Sequence, residues 1–325
     1  MSGDFRPTAS WDALRRRAHL LARLRRFFDE QGFLEVETPL LSADTVIDRH
    51  LDPLSVVLFD DPSDRGIGPE FWLQTSPEFA MKRLLAAGAT AIYQVTRAFR
   101  GGEVGPLHNP EFTMVEWYRV GDGYQAGMNL LARLAQHLLE RGEPELLSYQ
   151  EAFRRYAGFD PWRPSNEELA RLIRAQDPSV PDYPVNDRDS WLNFALATFV
   201  EPRLGMDRPV ILFDYPASQA ALALVRTGEP PVAERFELYV EGIELANGYH
   251  ELLDAERLRA RNRRANMERT ADGKRKLPEE SRLLTAMDHG LPPCSGVALG
   301  FDRLCMVACG ATSLAEVMAF PISRA

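Results

Sequence analysis

FRGGEVGPLHNPEFTMVEWYR, residues 99–119, is the most informative stretch of this 325-residue chain. Two segments with extended character, Ala91 to Arg100 and Glu111 to Arg119, flank residues 101–110, which are rich in glycine and proline. Glycine and proline in such numbers end regular structure and reverse the chain. The stretch therefore predicts a hairpin of two antiparallel strands.

The second strand of this hairpin carries polar side chains on a single face. That face comprises Phe112, Met114, Glu116 and Tyr118. Because alternate side chains of a strand point the same way, Glu116 and Tyr118 would project side by side from a rigid sheet, as in a binding pocket. Arg100 ends the first strand, where its planar guanidinium could hold a phosphate, although a lone arginine at a hairpin is more often a solvated charge.

The residues before the hairpin predict a helix and a short strand. Ser10 is expected to cap a helix of about 20 residues that stops near Gly32. Its apolar stripe comprises Leu14, Ala18, Leu21, Leu24 and Phe28. Residues 33–39 then alternate like a strand that Pro39 ends or places at an edge.

The residues after the hairpin mix helical and extended patterns without regular alternation. Residues 126–177 look helical, with strands predicted from Val210 to Tyr215 and from Phe236 to Leu245. Residues 255–289 are helical in tendency, and residues 296–310 pass from a glycine-punctuated strand into an apolar helix. Antiparallel strands framed by helices favour an α+β fold over a doubly wound sheet.

Two carboxylates follow the strand that starts at Phe236. In an unbroken strand Glu244 ends an otherwise apolar face, and a bulge at Asn247-Gly248 would bring Glu251 onto that face. A buried carboxylate needs a partner, so Glu244 belongs either to a structural salt bridge or to a cleft that binds a cation. Two converging carboxylates beside a phosphate suit magnesium, which takes oxygen ligands.

Composition bounds the class of protein. The chain has 45% hydrophobic residues, no apolar run that approaches a membrane span and no secretory signal, so we expect a cytoplasmic protein that is not bound to a membrane. Its three cysteines are too few for a disulfide framework. Cys305 and Cys309 share a helical face, but no further ligand stands at zinc-site spacing, which favours core packing over metal.

The charge distribution is uneven. A formal net charge of -9 opposes the phosphate attraction that drives nucleic-acid binding, so the composition disfavours tRNA as a partner. Residues 257–276 nevertheless carry nine Lys or Arg against two Asp or Glu. This segment is either a docking patch for an acidic partner or a solvated helix face.

Several motifs, in this order, resemble those of class II aminoacyl-tRNA synthetases, and the lysyl branch is the most similar. The helix followed by FLEVETPLL resembles motif 1, residues 99–119 resemble motif 2, and GVALGFDRL at residues 296–304 resembles motif 3. TSPEF at residues 75–79 and ELANGYHEL at residues 244–252 complete a lysyl-type site. The resemblance implies that residues 1–325 form a class II catalytic domain with an antiparallel sheet flanked by helices.

The chain is more similar still to truncated paralogues of lysyl-tRNA synthetases, which attach β-lysine to a lysine side chain of elongation factor P. The motif 1 helix begins within about ten residues of the start, so we expect no anticodon-binding domain, and residues 126–200 are a possible helical insertion. The resemblance implies ATP, magnesium, lysine or β-lysine and elongation factor P as partners. Because motif 1 forms a two-fold interface in this class, it also implies a homodimer.

The resemblance assigns the site residues. The amino acid would be held by Ser76, Pro77, Glu78, Glu116, Tyr118 and Glu251. ATP would be held by Arg100, Asn109, Glu244, Leu245, Gly300 and Arg303. The two arginines would be catalytic, with Arg100 at the α-phosphate and Arg303 at the distal phosphates, while Glu244 and Glu251 would hold magnesium. Independently, a diamino acid carries two ammonium groups for which carboxylates are strong partners.

Four positions depart from the family pattern. Motif 2 usually reads Arg-Asn-Glu-Glu in this branch, but here Gly101 and Gly102 follow Arg100, so the acid that contacts adenine is missing. Pro106 stands where the family tends to have arginine. Ala298 stands where lysyl-tRNA synthetases commonly have a motif 3 glycine, which fits a different lysine isomer. The alternatives to a protein-lysine ligase are a tRNA-charging fragment and a catalytically silent regulatory paralogue.

Overall fold

The structure is a computed structural model that describes residues 5–61, 63–64 and 66–325. The chain divides into two compact units: unit 1 comprises residues 1–123 and 252–325, and unit 2 comprises residues 124–251. The single catalytic domain expected over residues 1–325 stays a prediction. No helix in the described part of the chain combines the length and the apolar character that a membrane span requires.

The first helix of unit 1, α1 (Trp11–Glu30), starts where the sequence predicts. The Ser10 hydroxyl accepts the Ala13 N–H at 3.1 Å, which satisfies a free donor of the first turn. The buried face differs in part from the predicted stripe, because Ala18 is exposed. The residues that are buried are Leu20, Leu24, Phe27 and Phe28.

The predicted hairpin is present in unit 1. The chain continues through β1 (Leu34–Glu35), β2 (Leu41–Ser42), β3 (Ser55–Val57), β4 (Glu70–Leu73), α2 (Glu78–Ala86), β5 (Ala91–Phe99) and β6 (Glu111–Val120). β5 and β6 pair antiparallel, from Ala91 opposite Arg119 to Phe99 opposite Glu111. β1 is only two residues long and pairs in parallel with β5, while β2, β4 and β3 form a small separate sheet.

Unit 2 combines helices with four longer strands and one short one. In chain order it contains α3 (Tyr124–Leu139), β7 (Glu145–Ser148), α4 (Tyr149–Ala152), α5 (Asn166–Gln176), α6 (Arg188–Ala195), β8 (Val210–Pro216), β9 (Val225–Arg226), β10 (Val232–Val240) and β11 (Ile243–His250). β8, β10 and β11 pair antiparallel in that order, β7 joins β8 in parallel and β9 joins β10. Buried aromatic residues, including Tyr149, Phe153 and Trp191, fill the core of the unit.

The strand predicted from Phe236 to Leu245 is wrong, because the chain reverses in its middle. β10 ends at Val240, and Glu241 and Gly242 follow with φ of 53° and 74°. Two consecutive residues with positive φ form the two-residue turn that matches the twist of an antiparallel pair. Glutamate is uncommon in this conformation, so the usual sequence signal of a tight turn is weak here.

The chain returns to unit 1 for its last elements. These are α7 (Ala255–Ala271), α8 (Arg282–Gly290), β12 (Cys294–Gly300) and α9 (Phe301–Cys309). β12 pairs antiparallel with β6, which gives unit 1 the strand order β1-β5-β6-β12. The predicted passage from a strand into an apolar helix is therefore confirmed, and the buried Cys305 fits the expected core packing.

A buried ion pair ties the first and last helices of unit 1 to its sheet. Arg17 Nη1 on α1 lies 2.6 Å from Asp302 Oδ1 on α9, and Asp302 is 2% exposed. Thr113 on β6 donates its N–H to Asp302 Oδ2 at 2.7 Å, and Arg17 Nη2 donates to the Thr113 hydroxyl at 2.8 Å. One junction therefore fixes the positions of α1, β6 and α9.

Candidate active site

Unit 1 brings together the predicted amino-acid-binding residues of β6 and of the turn before α2. The Ser76 hydroxyl donates to Glu116 Oε1 at 2.5 Å, and the Tyr118 hydroxyl donates to Glu116 Oε2 at 2.8 Å. Pro77 caps α2, and the first helical residue, Glu78, donates its N–H to Ser76 Oγ at 3.1 Å. The side-by-side projection of Glu116 and Tyr118 is thus confirmed, with both carboxylate oxygens of Glu116 hydrogen-bonded.

The Glu116 carboxyl is held in an environment that disfavours its charge. Burial raises its pKa to about 7, and the negative charge of Glu78 acts in the same direction. Hydrogen bonds from Ser76 and Tyr118 and the positive charge of Lys82 oppose that rise. Glu116 therefore changes its charge near neutral pH, where an ordinary glutamate is fully ionised.

Lys82 is a member of this cluster that the sequence did not reveal. Its ammonium donates to Glu78 Oε1 at 2.5 Å, lies 5.9 Å from the centroid of the Tyr118 ring and belongs to a residue that is 2% exposed. A lysine within an amphipathic helix is usually solvated, which concealed it. The spacing of four residues from Glu78 is the one signal that could have identified the pair.

Ala298 lies where the motif 3 resemblance predicts an influence on the amino-acid pocket. On β12 it is directly opposite Glu116 of β6. Residues directly opposite each other in an antiparallel pair have neighbouring side chains on the same face of the sheet. The Ala298 methyl group is therefore next to the Glu116 side chain.

The motif 2 turn holds Arg100 at the edge of this cluster. Arg100 Nε donates to the Thr75 carbonyl at 3.4 Å, and its guanidinium lies 5.0 Å from the centroid of the Phe112 ring. Glu103 Oε1 is 3.9 Å from Arg100 Nη1. Glu103, the acidic residue that remains in this turn, is therefore next to Arg100, the predicted phosphate-binding arginine.

Asn109 contacts backbone in this structure. Its side-chain amide donates to the Glu111 carbonyl at 2.6 Å, and its Oδ1 accepts the Ile322 N–H at 2.9 Å. These bonds fix the end of the motif 2 turn at the start of β6. The assignment of Asn109 to ATP stays a prediction.

The motif 3 arginine reaches the motif 2 turn. Arg303 lies in the first turn of α9, after Gly300, which ends β12 and caps the helix. Its Nε donates to the Leu107 carbonyl at 3.2 Å, and Nη2 donates to His108 Nε2 at 2.8 Å. Burial, followed by the positive charge of Arg303, lowers the pKa of His108, so the imidazole is neutral and can accept that bond. His108 was not among the residues predicted from the sequence.

Unit 2 places Glu244 and Glu251 on a single face, by a route that differs from the prediction. Glu244 of β11 is opposite Tyr239, and Ala246 is opposite Leu238, so Leu245 is an extra residue in the strand. The bulge therefore falls at Leu245 and not at Asn247-Gly248. Glu251 is 1% exposed, and with one extra residue it returns to the face of Glu244.

These carboxylates are the candidates for magnesium. Within the described residues, no group of three or more His, Cys, Asp or Glu is arranged as a metal cluster. Two carboxylates on one strand face nevertheless match the ion, since magnesium is usually bound by one or two carboxylates together with water and substrate phosphates. The roles of Glu244, Leu245 and Glu251 in nucleotide, metal and amino-acid binding stay predictions.

The basic segment at residues 257–276 pairs mainly within the chain. The pairs are Arg257–Asp254, Arg259–Asp288, Arg264–Glu268, Arg269–Asp52, Lys274–Asp52, Arg275–Glu70 and Lys276–Glu279. At least seven of its nine cations thus have acidic partners within the described residues. Arg257, Arg264, Arg275 and Lys276 keep side-chain exposures of 61–65%, so much of the segment is a solvated surface whose charge is balanced within the chain.

Replacing Lys82 by methionine is expected to destabilise the protein. The change leaves the Glu78 carboxylate buried without its ammonium partner, and loss of one partner of a buried pair costs about 3 kcal/mol. Arg83→Met is the matched control, because Arg83 is the next residue and is exposed. Chemical denaturation measures both variants. An equal, small loss of unfolding free energy in the two would mean that the Lys82–Glu78 pair does not stabilise the pocket.

Comparison with known proteins identifies the family. The sequence model of "tRNA synthetases class II (D, K and N)" matches residues 3–324. The chain is also 44% identical, over 322 residues, to an elongation factor P–(R)-β-lysine ligase of Proteus mirabilis (strain HI4320). That alignment covers 99% of this chain and 98% of the ligase. The fold, the Ser76–Glu116–Tyr118 cluster and both comparisons agree, and the chain belongs to the class II tRNA synthetase family of the D, K and N type.

Proposed function

We propose that this protein is an ATP-dependent ligase that activates (R)-β-lysine, or lysine, as an adenylate and transfers it to a lysine side chain of elongation factor P. The observation that carries the proposal is the pair of buried acidic residues Glu78 and Glu116, with the Ser76 hydroxyl bonded to the Glu116 carboxylate and to the Glu78 N–H. The near full-length similarity to a ligase of that name supports the acceptor and the isomer.

The charges of the cluster match a diamino acid. With Glu116 ionised, Glu78 and Glu116 supply two negative charges and Lys82 supplies one positive charge, so this part of the pocket keeps one net negative charge. Leucine has no second amine that could pair with this negative charge. The side-chain carboxylate of glutamate would be repelled by it. Hydrogen bonds fix both oxygens of Glu116 before substrate arrives, which reduces the entropy lost on binding.

The chain's residues mainly position reactants. The substrate carboxylate attacks the α-phosphorus of ATP in line, the bond to the bridging oxygen breaks, and pyrophosphate leaves. Arg100 would neutralise charge at the α-phosphate and Arg303 at the distal phosphates, while neutral His108 keeps the Arg303 guanidinium oriented. Magnesium held by Glu244 and Glu251 would supply further charge neutralisation.

The second step needs no nucleophile from the ligase. The neutral amine of the acceptor lysine attacks the carbonyl carbon of the mixed anhydride and loses a proton, and AMP leaves with the bridging oxygen. The product is an amide on the acceptor. The homodimer implied by motif 1 remains part of this proposal, as does a cytoplasmic location.

Intact-mass measurement of elongation factor P tests the function. Purified protein, ATP and (R)-β-lysine are expected to add the mass of one lysyl residue, and omission of ATP should abolish the addition. Arg303→Ala is expected to remove the activity, whereas Arg97→Ala, an exposed arginine on β5, should retain it. Robust charging of lysine tRNA with an unmodified factor would instead establish the tRNA-charging alternative, and inactivity in both assays would favour a silent paralogue.

The pH dependence of amino-acid affinity is set by Glu116. Because its pKa is about 7, its carboxylate is protonated as the pH falls through neutrality, and the attraction for a substrate ammonium is lost. The KM for the diamino acid in pyrophosphate exchange should therefore rise as pH falls from 8 to 6. Glu116→Gln should have a high KM that is flat over this range. A wild-type KM equally flat over the range would contradict the assignment.

Removing the Ala298 methyl group is expected to shift the preference toward α-lysine. The methyl group lies beside Glu116, and one such group in a pocket discriminates by about tenfold. The ratio of kcat/KM for the two isomers measures the effect in Ala298→Gly. Ala98→Gly, a buried alanine on β5 of the same sheet, controls for loosening of the strands. An unchanged ratio in Ala298→Gly would remove Ala298 from the specificity determinants.

A further inference from the structure

In unit 1, charged side chains bind the loop between β2 and β3 to the end of α7. Asp52 Oδ1 is 2.9 Å from Arg269 Nη2, and Asp52 Oδ2 is 2.8 Å from Lys274 Nζ. Lys274 also donates to the Arg49 carbonyl at 3.0 Å. These three residues, Asp52, Arg269 and Lys274, form the Asp52 brace.

Arg269 is the buried centre of the brace. It is 2% exposed, although arginine is rarely buried unless its donors are satisfied. Nη1 donates to the carbonyls of Asp48 and Leu51 at 2.9 and 2.7 Å, and Nε donates to that of Arg275 at 3.1 Å. The guanidinium thus fixes the main chain of residues 48–52 as well as the Asp52 carboxylate.

The brace ends on the motif 2 turn. The Asp52 carbonyl accepts the Gly101 N–H at 2.7 Å. A Cβ at residue 101 would lie 3.1 Å from that carbonyl oxygen and 3.2 Å from Leu54 Cδ2, closer than ordinary packing allows. At Gly105, in the same turn, a Cβ would meet nothing within 4 Å. Glycine at position 101 therefore allows the close approach to Asp52.

Three backbone hydrogen bonds hold residues 99–101, the segment that contains Arg100. Phe99 N–H donates to the Gln74 carbonyl at 2.9 Å, Arg100 N–H donates to the Pro110 carbonyl at 2.9 Å, and Gly101 N–H makes the bond to Asp52. The first bond joins the hairpin to the residue that follows β4, and the second closes the hairpin itself. The third depends on the brace.

We propose that the Asp52 brace positions Arg100 for ATP, through the bond from the Gly101 N–H to the Asp52 carbonyl. Asp52, Arg269 and Lys274 are positioning residues in this scheme, and none of them touches the nucleotide. The inference rests on the proposed function in one respect, namely that Arg100 binds an ATP phosphate.

Gly101→Ala tests the contact, with Gly105→Ala as the matched control. The added methyl group should push the turn away from Asp52 and raise both the Kd for ATP and the KM for ATP about tenfold, because small displacements of a positioning group are costly. The KM for lysine should stay within twofold of wild type. Gly105→Ala should match wild type in all three quantities.

Asp52→Asn tests the charges without adding bulk. It removes the counter-charge of the buried Arg269, so the loop at residues 48–52 should shift and the Kd for ATP should rise several-fold. Calorimetry with ATP measures Kd, pyrophosphate exchange measures the two KM values, and thermal unfolding monitors folding.

The two proposals fail in different ways. If Gly101→Ala and Asp52→Asn only lower the melting temperature and leave the Kd for ATP unchanged, the brace is structural and the inference is wrong. If the wild-type protein binds ATP without exchanging pyrophosphate, the proposed function fails, while weaker ATP binding by Gly101→Ala would still support the brace. Absence of ATP binding by the wild-type protein would overturn both.

Discussion

The ion pair between Arg17 and Asp302 is the interaction on which the arrangement of unit 1 depends. A buried carboxylate is costly unless its charge is compensated, and the charge of Asp302 is compensated by the guanidinium of α1, while Oδ2 also accepts the Thr113 N–H of β6. Losing one partner of such a pair costs about 3–5 kcal/mol. Because Arg303 is the next residue, the contact that fixes α9 also fixes the arginine that reaches the motif 2 turn.

The same rule governs the charges of the amino-acid cluster. Lys82 compensates Glu78, and the hydroxyls of Ser76 and Tyr118 stabilise Glu116 without cancelling its charge. A fully neutralised pocket would not attract a cationic substrate, and an uncompensated pair of carboxylates would be driven to protonate. Burial and, after it, the negative charge of Glu78 raise the pKa of Glu116, while the two hydroxyls and the charge of Lys82 oppose the rise, so that the pKa is about 7.

Local patterns were predictable from the sequence, whereas pairings over long distances were not. The Ser10 cap, the hairpin and the shared face of Glu116 and Tyr118 follow from the periodicities of helix and strand. The turn at Glu241 was missed because glutamate carries no signal for positive φ. Arg269 was assigned to a surface because its partner, Asp52, is 217 residues away in the chain, and only the fold brings the two together.

Backbone contacts hold the motif 2 turn at both of its ends. Gly101 gives up a side chain but gains a bond to the Asp52 carbonyl, and at the other end of the turn the Pro106 carbonyl accepts the Leu314 N–H at 2.8 Å. Arg303 adds a bond to the Leu107 carbonyl next to it. Adenylation demands that a phosphate-binding arginine stay where charge develops, and it does not matter which atoms hold it there. In the proposed mechanism that arginine is Arg100, and a turn tied at both ends to the rest of unit 1 would hold it in place with glycine and proline instead of polar residues.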